Sequence, residues 1–316
     1  MKAGAVIHAW QWAAIALAGV LTAIAPAPAM ARAADPTYSG PIYPGPAQGS
    51  QSWAFPRTVI EQEASRSVYN TREPAITVHL PVPDRANGAA VVLLPGGGLR
   101  VLGMGAKTDA EVQAFLDHGI AVAVLEYRTL QLDPTGLARP AQQAAAAPAQ
   151  FAKMVIRHAN ANPAPGDAVL AEVHRLAVED AREALRLLHR RAAAWRLDPS
   201  RIGMIGTSAG GGVMIGALLA GGEAEARPDF LISIFGPALQ DVAPPADAPP
   251  LFIATEADHG PVTDGLVALY SLWKDGGHKA ELHIYEVPNF TMTVDLWGPR
   301  LFAWMAERGI VPGKAP

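Results

Sequence analysis

The sequence contains no cysteine, which excludes a disulfide framework, a thiolate nucleophile and any Cys-ligated metal. It also lacks a basic cluster: 25 Lys and Arg against 29 Asp and Glu give a formal charge of −4, and the positive residues are scattered. The basic stripe that nucleic acid requires is missing, so no nucleic-acid partner is expected. The apolar stretch Trp12 to Ala25, broken by Thr22, falls short of the ~20 residues that span a bilayer. Lys2 precedes this stretch, and Pro26, Pro28 and the small-residue site Ala31-Arg32-Ala33 follow it. Residues 1–33 therefore read as an export signal rather than an anchor, and a periplasmic or secreted protein without a stable membrane span is expected. No internal repeat is present. Gly210-Gly211-Gly212 is not followed by Gly-Lys-Ser/Thr, so this glycine run is not a nucleotide-phosphate loop.

What remains is a chain of 316 residues, half of them hydrophobic, suited to one large α/β domain over residues 34–316. Continuous apolar runs at Ala89–Leu94, Ile120–Leu125, Ile202–Ile205, Phe230–Phe235 and Leu251–Ala254 predict strands buried on both faces. Ala75–Leu80 and Glu281–Glu286 are further strands. Helical periodicity predicts helices over 109–117, 171–195, 209–219, 262–274 and 299–308. Strands alternating with helices imply a mostly parallel sheet covered on both faces, with function along the carboxyl edge of the strands. An Ala/Pro-rich insertion at about 130–165 follows one of these strands; it reads either as a tolerated surface insertion or as a cover over a pocket at that edge.

Three segments carry chemistry. Gly206-Thr207-Ser208-Ala209-Gly210 lies between a predicted buried strand and a predicted helix. A serine on such a turn projects its hydroxyl above the sheet, and Gly206 and Gly210 relieve crowding there. Leu94-Pro95-Gly96-Gly97-Gly98 follows another buried strand. Amides of Gly97 or Gly98, together with that of Ala209, are the expected donors to an oxyanion. Thr255-Glu256-Ala257-Asp258-His259 follows a third strand. There Asp258 is the expected orienting acid, with Glu256 the substitute. No metal and no organic cofactor are implied.

These segments, with Val68-Tyr69-Asn70, Ala75–Pro81, Ala181–Leu188 and Asp198–Gly203, resemble acetylxylan-esterase-like α/β-hydrolases over nearly the whole chain after residue 33, the insertion excepted. The resemblance implies an α/β-hydrolase fold, a Ser-Asp-His triad placed here on Ser208 and Asp258, and small-molecule or saccharide esters, acetyl esters above all, as substrates. It breaks at the general base. The family ends its last strand with Gly-His-Gly-Phe, whereas this chain has Val287-Pro288-Asn289-Phe290-Thr291-Met292 and no histidine after His283. His259 and His158 lie on loops at the functional edge and are the candidates for a displaced base. His118, His189 and His278 belong to the far edge, His79 and His283 to strands, and His174 reads as a solvated helix residue. Three functions follow: a serine esterase with a displaced base, an impaired homologue kept for carbohydrate or ligand binding, or other chemistry such as a lyase reaction in the same pocket. Leu99, Leu102, Met104 and the insertion are the expected pocket neighbours. Oligomeric state is not legible.

Overall fold

Buried apolar runs in the middle of the chain become the centre of an eight-stranded sheet. In the computed structural model, which describes residues 35–62, 64–137, 142, 154 and 156–312, these strands are β5 (Ala90–Leu94), β7 (Ala121–Glu126), β8 (Ile202–Thr207), β9 (Leu231–Ile234) and β10 (Leu251–Glu256). Every residue of β5, β9 and β10 is buried, so both faces of the sheet must be covered. The sheet order is β1 (Tyr38–Pro41), β4 (Ala75–His79), β7, β5, β8, β9, β10, β11 (Ala280–Tyr285). From β7 to β11 all neighbours are parallel. In this sheet β4 pairs antiparallel with both β1 and β7. The export signal expected at 1–33 lies outside the described residues.

The covering helices are α1 (Ala106–Asp117), α2 (Ala168–Trp195), α3 (Ala209–Leu219), α4 (Pro261–Asp275) and α5 (Val294–Glu307). α1 packs against α5 and α2 against α3. α2 is capped by Asp167, whose carboxylate accepts the Leu170 amide at 2.9 Å, and ends at Arg196 in the left-handed region. Its inward face carries one charge, Asp180, buried against Arg128 at 2.6 Å. Three strands not predicted from the sequence, β2 (Thr58–Gln62), β3 (Ser65–Tyr69) and β6 (Leu102–Gly105), form a second small antiparallel sheet.

The connections set the site. From β5 the chain moves to β7 on one side, then crosses back over β5 to β8 on the other. Loops leaving β5 and β8 therefore diverge and open a crevice above their carboxyl ends, the place where open α/β sheets bind ligands. The Gly96–Gly98 loop and Ser208 are the residues that leave those two strands.

Candidate active site

Ser208 occupies the single residue between β8 and α3, with φ 50° and ψ −125°, a conformation that costs a non-glycine residue about 1–3 kcal/mol. The surroundings impose it. The Ser208 amide donates to Ile234 O at 3.1 Å, and the Gly211 amide donates to Ser208 O at 2.8 Å. A Cβ on Gly210 would stand 2.1 Å from Leu94 O, and one on Gly206 would stand 2.5 Å from Gly210 O, so no side chain fits at either flank. Leu99, Phe235 and Phe290 are also at positive φ, and with Ser208 all four line one cavity of about 990 Å³. Backbone strain is concentrated around this cavity.

The loop after β5 folds over the serine. Arg100 and Val101 amides both donate to Gly97 O, at 3.1 and 3.2 Å, and Gly103 N donates to Gly96 O at 2.8 Å. Gly97 has φ 134°, and a Cβ there would lie 2.0 Å from Val101 O. Among the described residues the amides of Gly97 and Gly98 have no acceptor, and Ala209, in the first turn of α3, has none within its own helix. All three residues line the cavity beside Ser208. Donors without acceptors at a helix N-terminus favour negative charge.

Behind the cavity wall lies a buried pair. His259 Nδ1 sits 2.9 Å from Glu256 Oε2, with both side chains essentially inaccessible. Glu256 Oε1 accepts the Met292 amide at 3.2 Å. Burial pushes the Glu256 carboxyl up, yet His259 and the amides of Phe290 and Met292 outweigh it and hold the group below its ordinary value. The His259 ring meets Phe290 edge-on at 4.8 Å and Phe235 at 5.4 Å. The loop after β11 is tied down at three further points. Lys107 Nζ donates to Phe290 O at 2.5 Å and to Met292 O at 3.5 Å, and Asn289 Nδ2 donates to Asp258 O at 2.8 Å. Among the described residues no three His, Asp or Glu side chains converge as a metal site.

A family model described as alpha/beta hydrolase fold matches residues 171–274, the stretch from α2 through the serine turn to α4. The chain has the α/β-hydrolase fold. Solved structures agree across most of its length. An acetyl ester-xyloside bifunctional hydrolase from Caldicellulosiruptor lactoaceticus superposes with a TM-score of 0.56 at 17% identity, over 88% of this chain and 98% of its own. Esterase 2 of Thermogutta terrifontis, phosphorylated by paraoxon, gives 0.54 at 16% identity over 80% and 98%. A carboxylesterase from Lactobacillus plantarum gives 0.54 at 13% identity over 82% and 99%. No curated protein matches the sequence significantly.

Within the α/β-hydrolase fold the expected residues separate. Ser208, Gly97, Gly98 and Ala209 meet at one cavity. Asp258 does not join an imidazole. Its side chain is exposed, and Glu256, two residues earlier, faces His259. The reason is that β10 runs on through Thr255 to Glu256, so Glu256 leaves the strand inside the protein while Asp258 falls in the turn. His158 is exposed and its carbonyl accepts the Val242 amide, so it is not at the site. His174, expected in solvent, is buried, and its Nε2 lies 3.1 Å from Gly212 O. Leu99 and Met104 line the cavity, as do Leu132, Met154 and Pro163 of the insertion. Leu102 points into the core instead. Phe235 and Lys107 were not singled out from sequence, and no motif marks them, whereas Phe290 stands in the segment that replaces the Gly-His-Gly-Phe of the resembling family.

Proposed function

We propose that this chain is a serine esterase acting on acyl esters, with Ser208 as nucleophile and the Glu256–His259 pair in place of the acid and base of the resembling family. The observation that carries the reading is the common cavity of Ser208 and three acceptor-less amides, walled by the two aromatic rings that contact His259. Glu256 at Nδ1 favours the tautomer that carries its proton on Nδ1 and leaves Nε2 as the accepting nitrogen, the form a general base needs. Catalytic hydrogen bonds in unliganded enzymes are often long or unformed and tighten with substrate.

In the proposed cycle Ser208 Oγ attacks the ester carbonyl while His259 takes its proton. The oxyanion is held by the amides of Gly97 or Gly98 and Ala209. The alcohol leaves with the proton from the imidazolium, giving an acyl-serine. Water then attacks the acyl carbon, passes a proton to His259 and releases the acid, and the serine recovers its proton. Acetyl esters, including those of plant polysaccharides, are substrates implied by the sequence resemblance. An acetyl group occupies a small part of the cavity. Residues 1–33 are proposed to direct export to the periplasm or medium, checked by amino-terminal sequencing of the exported protein.

The test uses p-nitrophenyl acetate turnover and mass-detected phosphorylation by paraoxon, the reagent that modifies the Thermogutta esterase. Both should be lost in Ser208→Ala, and turnover should fall in His259→Ala. Loss of one triad member leaves roughly 10³–10⁴-fold residual catalysis over water, so the comparison must be with wild type rather than with buffer. Folded wild-type protein with neither turnover nor labelling would refute the reading and leave ligand binding as the role of the cavity.

A further inference from the structure

The cavity is much longer than the serine turn needs. Its lining includes Ser208 and Ala209 at the start of α3 and Gly216, Leu219 and Ala220 at the far end, and the ten steps from Ala209 to Leu219 cover about 15 Å. Along the other side run Leu170, Ala171, His174, Arg175 and Val178 of α2, a spacing that puts them on one helical face. Pro237 and Leu239 close the arm between the helices. Leu239 packs so tightly on α3 that a Cβ on Gly212 would stand 2.3 Å from its Cγ.

The chemistry of this arm is nearly uniform. Leu170, Val178, Leu219, Pro237 and Leu239 are apolar. Of the polar residues beside it, His174 already has Nε2 on Gly212 O at 3.1 Å, with burial lowering its pKa, Asn162 Nδ2 donates to Leu239 O at 3.3 Å, and Gln240 is a neutral amide at the cavity wall. Arg175 at the open end is engaged by Glu172 and Glu179. No carboxylate or free cation stands along the arm among the described residues to hold a charged group. At its other end the arm begins at the nucleophile and the Gly97–Gly98 amides.

We infer that this arm is the acyl-binding site for an extended alkyl chain, so that the preferred substrates are esters of medium-chain fatty acids rather than acetyl esters. The inference rests on the esterase reading for its catalytic consequence, but the arm itself predicts binding independently of turnover. Each methylene buried in the arm adds favourable transfer free energy in both ground and transition states. The open side at Ala171 and Ala220, both exposed, leaves part of the chain wet. Six methylenes separate acetate from octanoate, and half-burial of them corresponds to about 50-fold in kcat/KM.

The experiment measures kcat/KM for p-nitrophenyl acetate, butyrate, octanoate and laurate, and decanoate binding by calorimetry to wild type and Ser208→Ala, with acetate as comparator. The same measurements are made on Leu219→Trp, which places an indole across the arm. The expected result is a rise of about 50-fold from acetate to octanoate, decanoate bound at least tenfold tighter than acetate, and both preferences reduced in Leu219→Trp. Turnover that is flat or falls beyond acetate, with no preference for decanoate, overturns the inference and leaves the esterase reading standing. Decanoate binding that Leu219→Trp weakens, without turnover of any ester, keeps the arm and removes the esterase reading. Decanoate binding that Leu219→Trp leaves unchanged overturns the arm as its site.

Discussion

Replacing Glu256 with Gln exchanges one carboxylate oxygen for an NH₂ group and inverts a hydrogen-bond polarity. In the native pair Oε1 accepts the Met292 amide at 3.2 Å and Oε2 faces His259 Nδ1 at 2.9 Å. Gln can keep one acceptor, so its NH₂ group must confront either the amide or the ring. Keeping the amide satisfied turns the NH₂ towards Nδ1, which then has to accept, and the ring proton moves to Nε2. An imidazole with its proton on Nε2 cannot take one from Ser208, and the expected fall in kcat is about 10⁴-fold. The lost charge-assisted contact, replaced by a neutral one, costs about 1–2 kcal/mol, or roughly 2–4 °C in Tm for a domain of this size. The stability difference has a defined pH window. The Glu256 carboxyl is held below its ordinary value of 4.5 in the folded chain, so ionisation favours folding above that value. The advantage of wild type over Glu256→Gln is therefore present from about pH 5 upward and lost as pH falls through the folded-state value. Steady-state kinetics on p-nitrophenyl acetate and calorimetric melting from pH 3 to 8 measure both. A variant that melts lower yet keeps a tenth or more of wild-type kcat would refute the argument: Glu256 would then be a structural anchor and the base would lie elsewhere.

Asp258→Asn is the matched control, because that side chain is exposed. Its kcat/KM should stay within about twofold of wild type, and a large fall would return the acid role to Asp258. Arg128→Met strips the counter-charge from Asp180, with the two side chains 1% and 0% exposed. Leaving a buried carboxylate alone costs about 3–5 kcal/mol, so thermal scans should show Tm lower by roughly 10 °C, and a change under 3 °C would mean the site admits water. Burial pushes the Glu111 carboxyl on α1 up to about 8, against the pull of Lys107. The unfolded chain releases this proton near 4.5 and the folded chain near 8, so stability falls as pH rises across that window. Wild-type Tm should consequently drop more between pH 6 and 9 than that of Glu111→Gln, and parallel curves would disprove the burial argument.

The fold was legible where burial was two-sided. Strands such as β5 and β10 announce themselves as unbroken apolar runs, and the serine turn and glycine loop sit where those runs stop. The small sheet was not legible. β2 and β3 are five residues each with exposed positions, and Ser-Arg-Ser-Val-Tyr carries too weak an alternation to mark a strand. Errors at the site have one cause, which is that hydrophobic pattern ends before structure does. The apolar run of β10 stops at Ala254, but Thr255 and Glu256 remain buried in strand, so Glu256 rather than Asp258 faces His259. α2 begins at Ala168 rather than 171, which moves His174 from a solvated first turn to a second turn packed on α3. Phe290 and Lys107 act through backbone carbonyls and ring packing, for which sequence spacing leaves no trace.

The pairing of Glu256 with His259 has a consequence for local unfolding. Two partners three residues apart on one turn close a loop of almost no length, so their encounter carries little entropic cost and needs no distant segment to dock. The strand next to that turn, β11, is the last in the sheet, and terminal strands open more readily than central ones. Fraying of β11 would release the Phe290 and Met292 amides from Glu256 but would not part the carboxylate from the imidazole. An acid and base carried on two separate loops would be separated by the same fluctuation.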